Sequence, residues 1–392
     1  MKIVMVSDSY LPVVSGTAII VHSHALELAK KGHQVHLIAM GNSIKETFET
    51  VFKNFYLYRI VSLPNPLRLD HHIPFISPFK MNSYLRNISP DIVHIQGPGL
   101  LGNWAKLLAQ KKGIKIVMSC YGVPAYATSF LDFFPRSINN ILEKMLWRYY
   151  RWFFNASTTH VLSNFMKKQL ISHGIKTEIN VIPMWVDNNQ TSSMSLEKLL
   201  KKFNIPRNKT VLLFLGRLDK DKNLETLLNA LSILTDKKDK HLRDKIYLII
   251  AGKGKSESHL KKIVKKNQLE NFVRFTGVID HEHVDEIYKI SNIFIMPGPF
   301  ETQSIASVQA ISYGLTAVVA NSGALPEIAS RFPKYCFVYD TYDHRDLAEK
   351  IRKVFNNPPR KLHFPGKFDN YYSKESCINN LLNMYYKMLS KN

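Results

Sequence analysis

Residues 210–231, TVLLFLGRLDKDKNLETLLNAL, combine a buried strand, a charged loop and a helix in one short stretch. The run TVLLFLG is apolar without the strict alternation of a half-exposed strand, as is typical of strands covered on both faces of a parallel sheet. The segment LETLLNAL has the apolar spacing expected of a helix. A strand followed by a helix in this way predicts parallel strands joined by right-handed crossovers.

The same unit of strand and helix recurs along the chain in two groups. The apolar runs of the first group are KIVMVS, QVHLIAM, DIVHIQ, KIVMSC, THVLS and INVIP, and those of the second are TVLLFLG, IYLIIAG, FVRFTG, IFIMPG and TAVVAN. Residues 184–209 between the groups are polar and show no strand pattern, which indicates a linker. We therefore predict an α/β protein with two Rossmann-like, doubly wound domains, residues 1–183 and 210–370, that face each other across a cleft.

The composition is that of a globular protein with room for two cores. The chain has 392 residues, of which 45% are hydrophobic and 21% charged, and no apolar run approaches the roughly 20 residues that span a bilayer. The first ten residues, MKIVMVSDSY, have too short an apolar run for a secretion signal and predict a buried strand instead. Cys120, Cys336 and Cys377 are odd in number and far apart, so we expect a reducing compartment and neither a disulfide framework nor a metal site built on cysteines.

The formal net charge of +22 is the strongest bulk property of the chain. A charge of this size attracts polyanions or anionic surfaces, and nucleic acid and anionic lipid are both candidates on charge alone. The positive charge is spread over both halves and no motif that reads nucleic acid is present, so we expect no nucleic-acid partner. The sequence leaves the oligomeric state open.

The loop after TVLLFLG carries cations at the carboxyl end of a strand, where ligands bind in open α/β sheets. Arg217 and Lys222 precede a helix, an arrangement that suits a diphosphate because a guanidinium fork, an ammonium and free helix amides can converge on its oxygens. The alternative is that Lys220 and Lys222 are solvated loop charges. Asp219 and Asp221 resemble an acidic metal pair, but the neighbouring cations disfavour Mg²⁺, and we predict no metal and no cofactor.

A second loop follows IFIMPG, in residues 301–314, ETQSIASVQAISYG. Glu301 is predicted to lie in this loop, Ser304 to cap the next helix and Gly314 to end it. On that helix, Gln309 is placed to reach ligand hydroxyls. The alternative is a surface Glu and a Gln that only packs the helix.

Together these motifs make the chain resemble the retaining glycosyltransferases with the GT-B fold of two Rossmann domains, the family-four-like group that includes glycogen and sucrose synthases and lipid glycosyltransferases. The resemblance covers nearly the whole chain. It rests on PVVSGT with GHQVHLIA, DIVHIQGPG, NVIPMWVD, GRLDKDKNLETLL, YLIIAGKG, FVRFTGVID and PFETQSIASVQAISYGLTAVVANSGALPEI. It implies that the C-terminal domain binds a UDP- or GDP-sugar donor and that the N-terminal domain binds the acceptor. It also implies that residues 371–392 form a helix that crosses back to the N-terminal domain.

The resemblance further implies roles for particular residues. Arg217 and Lys222 would hold the donor diphosphate and stabilise its growing charge without a metal, and Glu301 would be the first acid of the family's E-x7-E pattern, near the transferred sugar. The amides at the start of the second helix would lie against the sugar or the phosphates, and the backbone at Gly16 would lie opposite, close to the diphosphate. The implied donor-binding set is Gly16, Gly216, Gln303, Ser304 and Gln309.

Three positions depart from the family pattern. Gln309 stands where the family has the second acid of E-x7-E, which usually holds the donor ribose, so we expect donor binding to be weakened or altered rather than lost. The family's sugar-contacting His after the strand KIVMS is absent, and Cys120 or Tyr121 must stand in, although neither has an ordinary pKa near neutrality. Ser15 with Gly16 replaces a glycine pair, which is a mild change. We still expect activity, because in this fold the leaving phosphate can take the acceptor's proton.

Residues 137–154, SINNILEKMLWRYYRWFF, predict a helix with two apolar faces. One stripe is expected to dock on the domain core; it consists of Ile138, Ile141, Leu142, Met145, Leu146, Tyr149, Trp152 and Phe153. The opposite face interleaves cations with aromatic rings, which suits a lipid interface; it consists of Lys144, Trp147, Arg148, Tyr150, Arg151 and Phe154. The alternative is that these aromatic residues pack on a neighbouring loop or subunit.

The sequence therefore predicts a retaining, metal-independent hexosyltransferase that is cytoplasmic and peripheral on the inner membrane face. Its expected partners are a nucleotide-sugar donor, an anionic membrane surface, and an acceptor that is a membrane lipid or a lipid-linked glycan. A soluble enzyme of polysaccharide or lipopolysaccharide-core synthesis, and a catalytically impaired relative that still binds nucleotide sugars, are the alternatives. The sequence does not fix the base, the sugar or the acceptor.

Overall fold

The structure, a computed structural model, describes residues 1–13, 15–65, 72–128, 135–155, 158–186, 194–280, 283–359 and 368–390. The chain divides into two compact units. The first unit comprises Met1–Met184 with Lys374–Asn392, and the second comprises Trp185–Ser373. Each unit has its own parallel sheet and its own hydrophobic core.

An eight-stranded sheet organises the first unit. The strands of this unit are β1 (Lys2–Ser7), β2 (Gln34–Met40), β3 (Thr47–Phe52), β4 (Phe55–Ile60), β5 (Ser62–Pro64), β6 (His72–Pro74), β7 (Ile92–Ile95), β8 (Lys115–Cys120), β9 (Thr158–Val161) and β10 (Ile179–Val181). The order across the large sheet is β10-β9-β8-β7-β1-β2-β4-β3, and β5 pairs with β6 separately. Neighbouring strands of the large sheet run parallel, except that the edge strand β3 is antiparallel to β4.

Helices connect these parallel strands. They are α1 (Gly16–Lys30), α2 (Pro78–Ile88), α3 (Leu100–Lys111), α4 (Pro124–Thr128), α5 (Arg136–Phe154) and α6 (Asn164–Ser172). Serine side chains begin three of them: the hydroxyls of Ser15, Ser77 and Ser163 accept backbone N–H groups in the first turns of α1, α2 and α6. All four residues of β7 are buried, as expected of a central strand covered on both faces.

A six-stranded sheet organises the second unit. Its strands are β11 (Thr210–Leu215), β12 (Ile246–Ala251), β13 (Val273–Gly277), β14 (Ile293–Met296), β15 (Thr316–Ala320) and β16 (Cys336–Tyr339). All neighbouring strands run parallel, in the order β13-β12-β11-β14-β15-β16. The strand order reverses direction at β11 and β14, and such a switch point is where open α/β sheets bind their ligands.

The second unit contains eight of the described α-helices. They are α7 (Leu196–Lys202), α8 (Leu224–Leu234), α9 (Lys240–Arg243), α10 (Glu257–Lys266), α11 (Val284–Lys289), α12 (Ile305–Ser312), α13 (Leu325–Arg331) and α14 (His344–Asn356). Short 3₁₀ turns occur at Lys220–Lys222 and Asn370–Tyr372. Helix α7 lies inside the segment predicted as a linker, and Leu199 and Ile205 are buried in the core of this unit. That segment is therefore partly structural.

The last helix, α15 (Lys374–Leu389), belongs to the first unit. It contacts α1 and β8. Cys377, Ile378, Leu381 and Tyr385 are buried on it, so one face of α15 completes the cover of the first sheet. The chain thus enters the second unit at Trp185 and leaves it at Ser373.

The predicted α/β class with two Rossmann-like units is confirmed. Each of the eleven apolar runs named from the sequence contains a strand. Strands β3 to β6 and β16 were not predicted. Strand β3 is exposed at every residue, and β4 and β16 are only half-buried at their interior positions other than Leu57, so none of the three is a strand buried throughout.

Candidate active site

The two loops predicted to carry chemistry lie at the carboxyl ends of adjacent strands. β11 pairs with β14, with Leu212 beside Ile293 and Leu213 beside Phe294. The loop of Arg217 follows β11 and the loop of Glu301 follows β14. Because the carboxyl ends of parallel neighbours share one edge of the sheet, the pairing brings these side chains together.

Arg217, Lys222 and Glu301 form one cluster of ion pairs with two aspartates. Lys222 Nζ lies 2.6 Å from Glu301 Oε1 and 3.5 Å from Asp221 Oδ2. Arg217 Nη2 lies 3.3 Å from the same Asp221 oxygen, and Nη1 donates to Asp219 Oδ2. The three residues predicted as catalytic therefore lie together, and their catalytic roles stay a prediction.

The charge balance of this cluster differs from the expectation. Two cations meet three carboxylates, so the five side chains carry a formal charge of −1. Burial alone would lower the pKa of Lys222, but the carboxylates of Glu301 and Asp221 raise it above its ordinary value. Lys222 is therefore a fixed cation. The predicted convergence of cations is present, but internal carboxylates already pair with both of them.

Glycines bring the surrounding backbone close to this cluster. A Cβ on Gly323, whose φ is +62°, would lie 2.4 Å from the carbonyl oxygen of Glu301, which accepts the N–H of Ala324 at 2.8 Å. A Cβ on Gly252 would lie 1.8 Å from Gly216 O, and one on Gly254 would lie 2.4 Å from the backbone of Leu218. The sequence analysis did not single out Gly252, Gly254 or Gly323. They occur in the motifs YLIIAGKG and NSGALPEI, and only the structure shows which backbone each approaches.

The start of α12 presents the predicted donor-binding residues in a strained turn. Ser304 has φ +60°, a left-handed conformation that is uncommon for a residue other than glycine. Its hydroxyl makes no side-chain cap to the helix, and instead lies 2.7 Å from Ser307 Oγ. The predicted cap at Ser304 is therefore wrong in its hydrogen bond, although the helix does begin at the next residue.

Gln303 is buried, and Gln309 is half-buried on the first two turns. Gly314 has φ +81° directly after the helix, as predicted.

In the first unit, Gly16 is the first residue of α1 and has open space around it. Apart from its chain neighbours and the backbone of its own helix, no heavy atom of the described residues lies within 4 Å of a Cβ placed on Gly16. Ser15 Oγ accepts the N–H of Ala18 at 3.1 Å and so fixes the start of the helix. The absence of close packing at Gly16 is compatible with a ligand approaching its backbone, but the role in donor binding stays a prediction.

Cys120 cannot stand in for the family's histidine. Its side chain is fully buried in the first core, and its thiol donates to Gly122 O at 3.3 Å. Burial raises the pKa of this thiol to about 12. Cys120 is the last residue of β8, whose last five residues are all buried because the strand is covered on both faces. This expectation is corrected.

Tyr121 is the remaining candidate for that position. It is half-buried, and its hydroxyl donates to Gln96 Oε1 at 2.7 Å. Burial raises the pKa of Tyr121 above its ordinary value, so the phenol stays protonated at neutral pH. It can orient a hydroxyl group but not act as a base there.

A buried chain of hydrogen bonds lies behind Tyr121 and was not predicted. His160 Nε2 lies 2.8 Å from Ile182 O, and a carbonyl only accepts, so Nε2 carries the proton. Ser119 therefore donates to His160 Nδ1 at 2.8 Å and accepts from His94 Nε2 at 2.7 Å. His94 Nδ1 then accepts from the hydroxyl of Tyr385 on α15 at 2.6 Å. Burial lowers the pKa of His160 to about 4 and that of His94 well below 6.5, which keeps both rings neutral.

The sequence did contain a signal for these buried hydrogen bonds. His94 and His160 interrupt the otherwise apolar runs DIVHIQ and THVLS, and a polar residue inside a doubly covered strand must find a partner. Their partner Ser119 lies opposite His160 in the strand register.

Asp8 occupies the start of α3. Asp8 Oδ1 accepts the N–H of Leu101 at 3.0 Å and Oδ2 that of Gly102 at 3.4 Å. Burial raises the pKa of Asp8 to about 6, although these helix amides act in the opposite direction. A Cβ on Gly99 would lie 2.2 Å from this carboxyl group, which explains the glycine of the motif DIVHIQGPG.

Helix α5 docks on the first core mainly through the face predicted for the membrane, together with Phe153 and Tyr149 of the predicted core stripe. Trp147 and Phe154 are 6% and 0% exposed, and Tyr150 packs on the first core with them. The side chains exposed instead are Ile138, Ile141, Met145 and Trp152. Trp147 stacks on His173 at 3.6 Å between ring centres, which gives this face of the helix a specific partner. The membrane-face assignment of Trp147, Tyr150 and Phe154 is therefore wrong.

The cations of α5 are exposed as predicted. Lys144, Arg148 and Arg151 lie on the same side as Ile141 and Met145, which are 58% and 63% exposed. Cations and apolar side chains are thus interleaved on this side. The exposed apolar residues are aliphatic side chains such as Ile141 and Met145 rather than the predicted aromatic rings.

Helix α3 lies beside α5. Lys106 Nζ donates to Trp152 O at 2.6 Å and lies 3.7 Å from the centre of the Trp152 ring. Burial lowers the pKa of Lys106 to about 8. On α3 itself, Leu100, Trp104 and Leu107 are exposed at helical spacing.

The described part of the chain shows neither a metal-binding cluster nor a membrane-spanning helix. Within the described ranges, no group of three or more His, Cys, Asp or Glu is placed to hold a metal ion. None of the helices in those ranges is long and apolar enough to cross a bilayer.

Comparison with known proteins identifies the family of this chain. Residues 14–190 match the family model described as Glycosyltransferase Family 4, and residues 196–370 match that of Glycosyl transferases group 1. The chain therefore belongs to the GT-B glycosyltransferases of the family-four-like group, as its resemblance implied.

Two solved structures and one curated relative illustrate the similarity. The chain is 25% identical over 370 residues to the alpha-monoglucosyldiacylglycerol synthase of Streptococcus pneumoniae, covering 92% of this chain and 79% of the relative. Its fold matches sucrose-phosphate synthase from Thermosynechococcus elongatus with a TM-score of 0.78 at 15% identity, over 100% of both chains. It also matches Anabaena HepE in complex with UDP-glucose with a TM-score of 0.70 at 15% identity, over 99% of this chain and 95% of that one.

Proposed function

We propose that this glycosyltransferase moves a hexose from a UDP- or GDP-sugar to a hydroxyl of a membrane lipid or lipid-linked glycan, with retention of configuration. The observation that carries the proposal is the cluster of Arg217, Lys222 and Glu301 at the carboxyl ends of β11 and β14. A guanidinium and an ammonium fixed at this edge of the sheet suit a diphosphate. The solved structure of HepE with UDP-glucose, which shares the fold, supports a nucleotide-sugar donor.

In this proposal the two cations act on the leaving group. As the bond between the sugar and the diphosphate breaks, negative charge grows on the phosphate oxygens, and Arg217 and Lys222 stabilise it. The amides at the start of α12, at Gln303 and Ser304, bind the sugar or the phosphates, and Gln309 binds the ribose. Gly216 lets the loop backbone approach the donor. The departing phosphate oxygen takes the proton of the acceptor hydroxyl, so no side-chain base is required and no metal is needed for charge neutralisation.

Glu301 has a positioning role in this scheme. Its carboxylate holds Lys222 at 2.6 Å, and its backbone carbonyl accepts the N–H of Ala324 at 2.8 Å. A carboxylate beside the donor also accepts hydrogen bonds from sugar hydroxyls. Tyr121, at the end of β8 in the first unit, is the group assigned to orient the acceptor or the sugar, because Cys120 is buried.

The proposal of a lipid acceptor depends on the exposed surface of α5. Exposed apolar side chains next to Lys144, Arg148 and Arg151 form the kind of surface that binds at the interface of an anionic bilayer. We call this surface the α5 face: Lys144, Arg148 and Arg151 with Ile141, Met145 and Trp152. The similarity to a diacylglycerol glycolipid synthase favours a lipid acceptor over a soluble one. The proposed location is the cytoplasmic face of the membrane, held peripherally.

The experiment that tests the function is a donor panel. Purified protein is incubated with UDP- and GDP-linked glucose, galactose, mannose and N-acetylglucosamine, with and without diacylglycerol, and release of nucleoside diphosphate is followed. We expect slow hydrolysis of one donor class that rises when the lipid is added. Binding of a nucleotide without turnover of any donor would instead identify a catalytically impaired relative. No binding of any nucleotide would contradict the proposal.

A further inference from the structure

In the structure, carboxylates already pair with both cations of the proposed donor site. The guanidinium of Arg217 contacts Asp219 through Nη1 and Asp221 through Nη2, while Lys222 contacts Asp221 and Glu301. A diphosphate would add at least two negative charges to a cluster whose formal charge is already −1. Unless one carboxylate moves away, donor binding works against like-charge repulsion at contact distance.

The two aspartates differ in how firmly they are held. The side chain of Asp221 is 1% exposed, and its Oδ2 lies within 3.5 Å of both Arg217 Nη2 and Lys222 Nζ. Among the described residues its Oδ1 is buried with no hydrogen-bond partner, so the carboxylate depends on the two cations for its stability. Arg217 and Lys222 would each keep one other carboxylate if Asp221 left the cluster, but Asp221 itself would become an unpaired charge in the interior.

Asp219 is placed to move. Its side chain is 17% exposed, and it stands at the start of the 3₁₀ turn without capping it. Besides Arg217, it accepts only the backbone N–H of Lys255 among the hydrogen bonds we resolve, at 3.0 Å to Oδ1. Rotation of this side chain toward solvent would expose the Nη1 edge of Arg217, which is itself 24% exposed.

A phosphate and a carboxylate compete for the same edge of a guanidinium. Both accept its N–H groups in a planar, bidentate manner, so one Arg edge binds one of them at a time. The loop therefore contains its own substitute for the phosphate oxygens.

We propose that Asp219 is an internal competitor of the donor diphosphate, which must displace it from Arg217, whereas Asp221 is the positioning residue that keeps Arg217 and Lys222 aimed at the donor. This inference rests on the proposed function of the site as a diphosphate site. It assigns opposite effects to two aspartates that are two residues apart in the sequence. Asp219 sets how tightly the nucleotide is held and how fast it is released.

The test is calorimetric titration of UDP and of GDP into the full chain and three variants. Asp219→Asn removes the competing charge and is expected to tighten binding of whichever nucleotide binds by roughly two- to fivefold, the effect of a partly exposed ion pair. Asp221→Asn is expected to weaken it by roughly tenfold or more, because the cations lose their buried partner. Asp244→Asn, an exposed aspartate of the same unit with the same change of charge, is expected to leave binding unchanged.

The outcomes separate the inference from the function on which it rests. If the wild type binds UDP or GDP and Asp219→Asn binds equally or more weakly, the inference is wrong while the donor site stands. If neither nucleotide binds to any form, the proposed function fails and the inference with it. A gain of affinity cannot come from damage to the fold, so a tighter complex would be specific evidence. Thermal unfolding of each variant shows whether a loss in Asp221→Asn reflects the site or the stability of the unit.

Discussion

Arg217 is the residue whose chemistry the account depends on most. It follows β11 directly, and its two terminal nitrogens are held by Asp219 and Asp221. A guanidinium held in this way loses little side-chain freedom when a phosphate binds, and it offers a planar fork that a lysine cannot copy. The structure thus fixes the orientation of Arg217 in advance of ligand binding.

Replacing Arg217 is expected to remove turnover without unfolding the protein. In Arg217→Ala, the loss of one group that stabilises charge in the transition state should lower kcat about 100-fold or more. The matched control is Arg207→Ala, since Arg207 is 74% exposed and pairs only with the exposed Glu197 among the ion pairs resolved. Steady-state rates on the active donor, with circular dichroism for the fold, check this expectation. Equal rates in the two variants would discredit the role of Arg217.

The sequence indicated the residues of this cluster but not their pairing. The family motifs implied that Arg217, Lys222 and Glu301 act on one donor, but only the structure shows that β11 and β14 are neighbours that bring them together. The pairing with Asp219 and Asp221 depends on the 3₁₀ turn at Lys220–Lys222, whose side-chain directions no residue pattern fixes. Cys120 was misjudged for another reason, since the last five residues of β8 are all buried and the thiol is enclosed whichever way it points.

At the scale of elements, α5 shows where periodicity misleads. The helix carries two apolar stripes, each with one Trp, one Tyr and one Phe, so a count of apolar positions does not decide which stripe docks. The deciding contact is tertiary, because Trp147 stacks on His173, which follows α6. With Trp147 inside, Ile141, Met145 and Trp152 are exposed beside the cations.

The α5 face is expected to carry membrane binding. The triple variant Lys144→Glu, Arg148→Glu, Arg151→Glu should bind vesicles of phosphatidylcholine with phosphatidylglycerol ~100-fold more weakly, since each basic residue near an anionic surface contributes about 1 kcal/mol. Co-sedimentation at physiological salt measures the loss.

A matched control separates the α5 face from the net charge. Lys262, Lys265 and Lys266 are exposed on α10 of the second unit, and their change to Glu alters the net charge by the same amount. We expect this control to keep most of the binding. Equal losses in both triples would show that net charge alone attracts the protein, and no binding by the wild type would remove the membrane from the proposal.

At the scale of the whole molecule, buried histidines tie the end of the chain to the first sheet. Tyr385 of α15 begins the chain of hydrogen bonds through His94 and Ser119 to His160. A third buried ring, His24, lies 5.9 Å from His160, and burial lowers its pKa to about 3. Each of these rings is neutral when folded and binds a proton more readily when unfolded.

The first unit is therefore expected to lose stability as the pH falls below about 6.5. The folded pKa values lie below the unfolded value near 6.5, so the unfolded chain takes up more protons in this range and the free energy of unfolding decreases on acidification. Between pH 7.5 and 5.5 each buried histidine accounts for about 1.4 kcal/mol. Urea unfolding monitored by tryptophan fluorescence measures this change in the free energy of unfolding. The signal reports on the first unit because three of the four tryptophans, Trp104, Trp147 and Trp152, lie in it.

Two histidine variants test whether buried histidines cause this loss of stability at low pH. His24→Gln should reduce the acid-induced loss by about 1.4 kcal/mol, the contribution of one ring. His259→Gln, at an exposed position of the second unit, should leave it unchanged. If the loss is the same in both variants and the wild type, the buried ring does not titrate with folding as argued.

The central claim is that the second unit holds the donor diphosphate on Arg217 and Lys222, and a crystal structure with the nucleotide sugar that the donor panel selects tests it most directly. We predict phosphate oxygens within hydrogen-bond distance of both side chains, with Asp219 turned away from Arg217. A nucleotide bound elsewhere on the chain, with Arg217 still paired to both aspartates, would contradict the account.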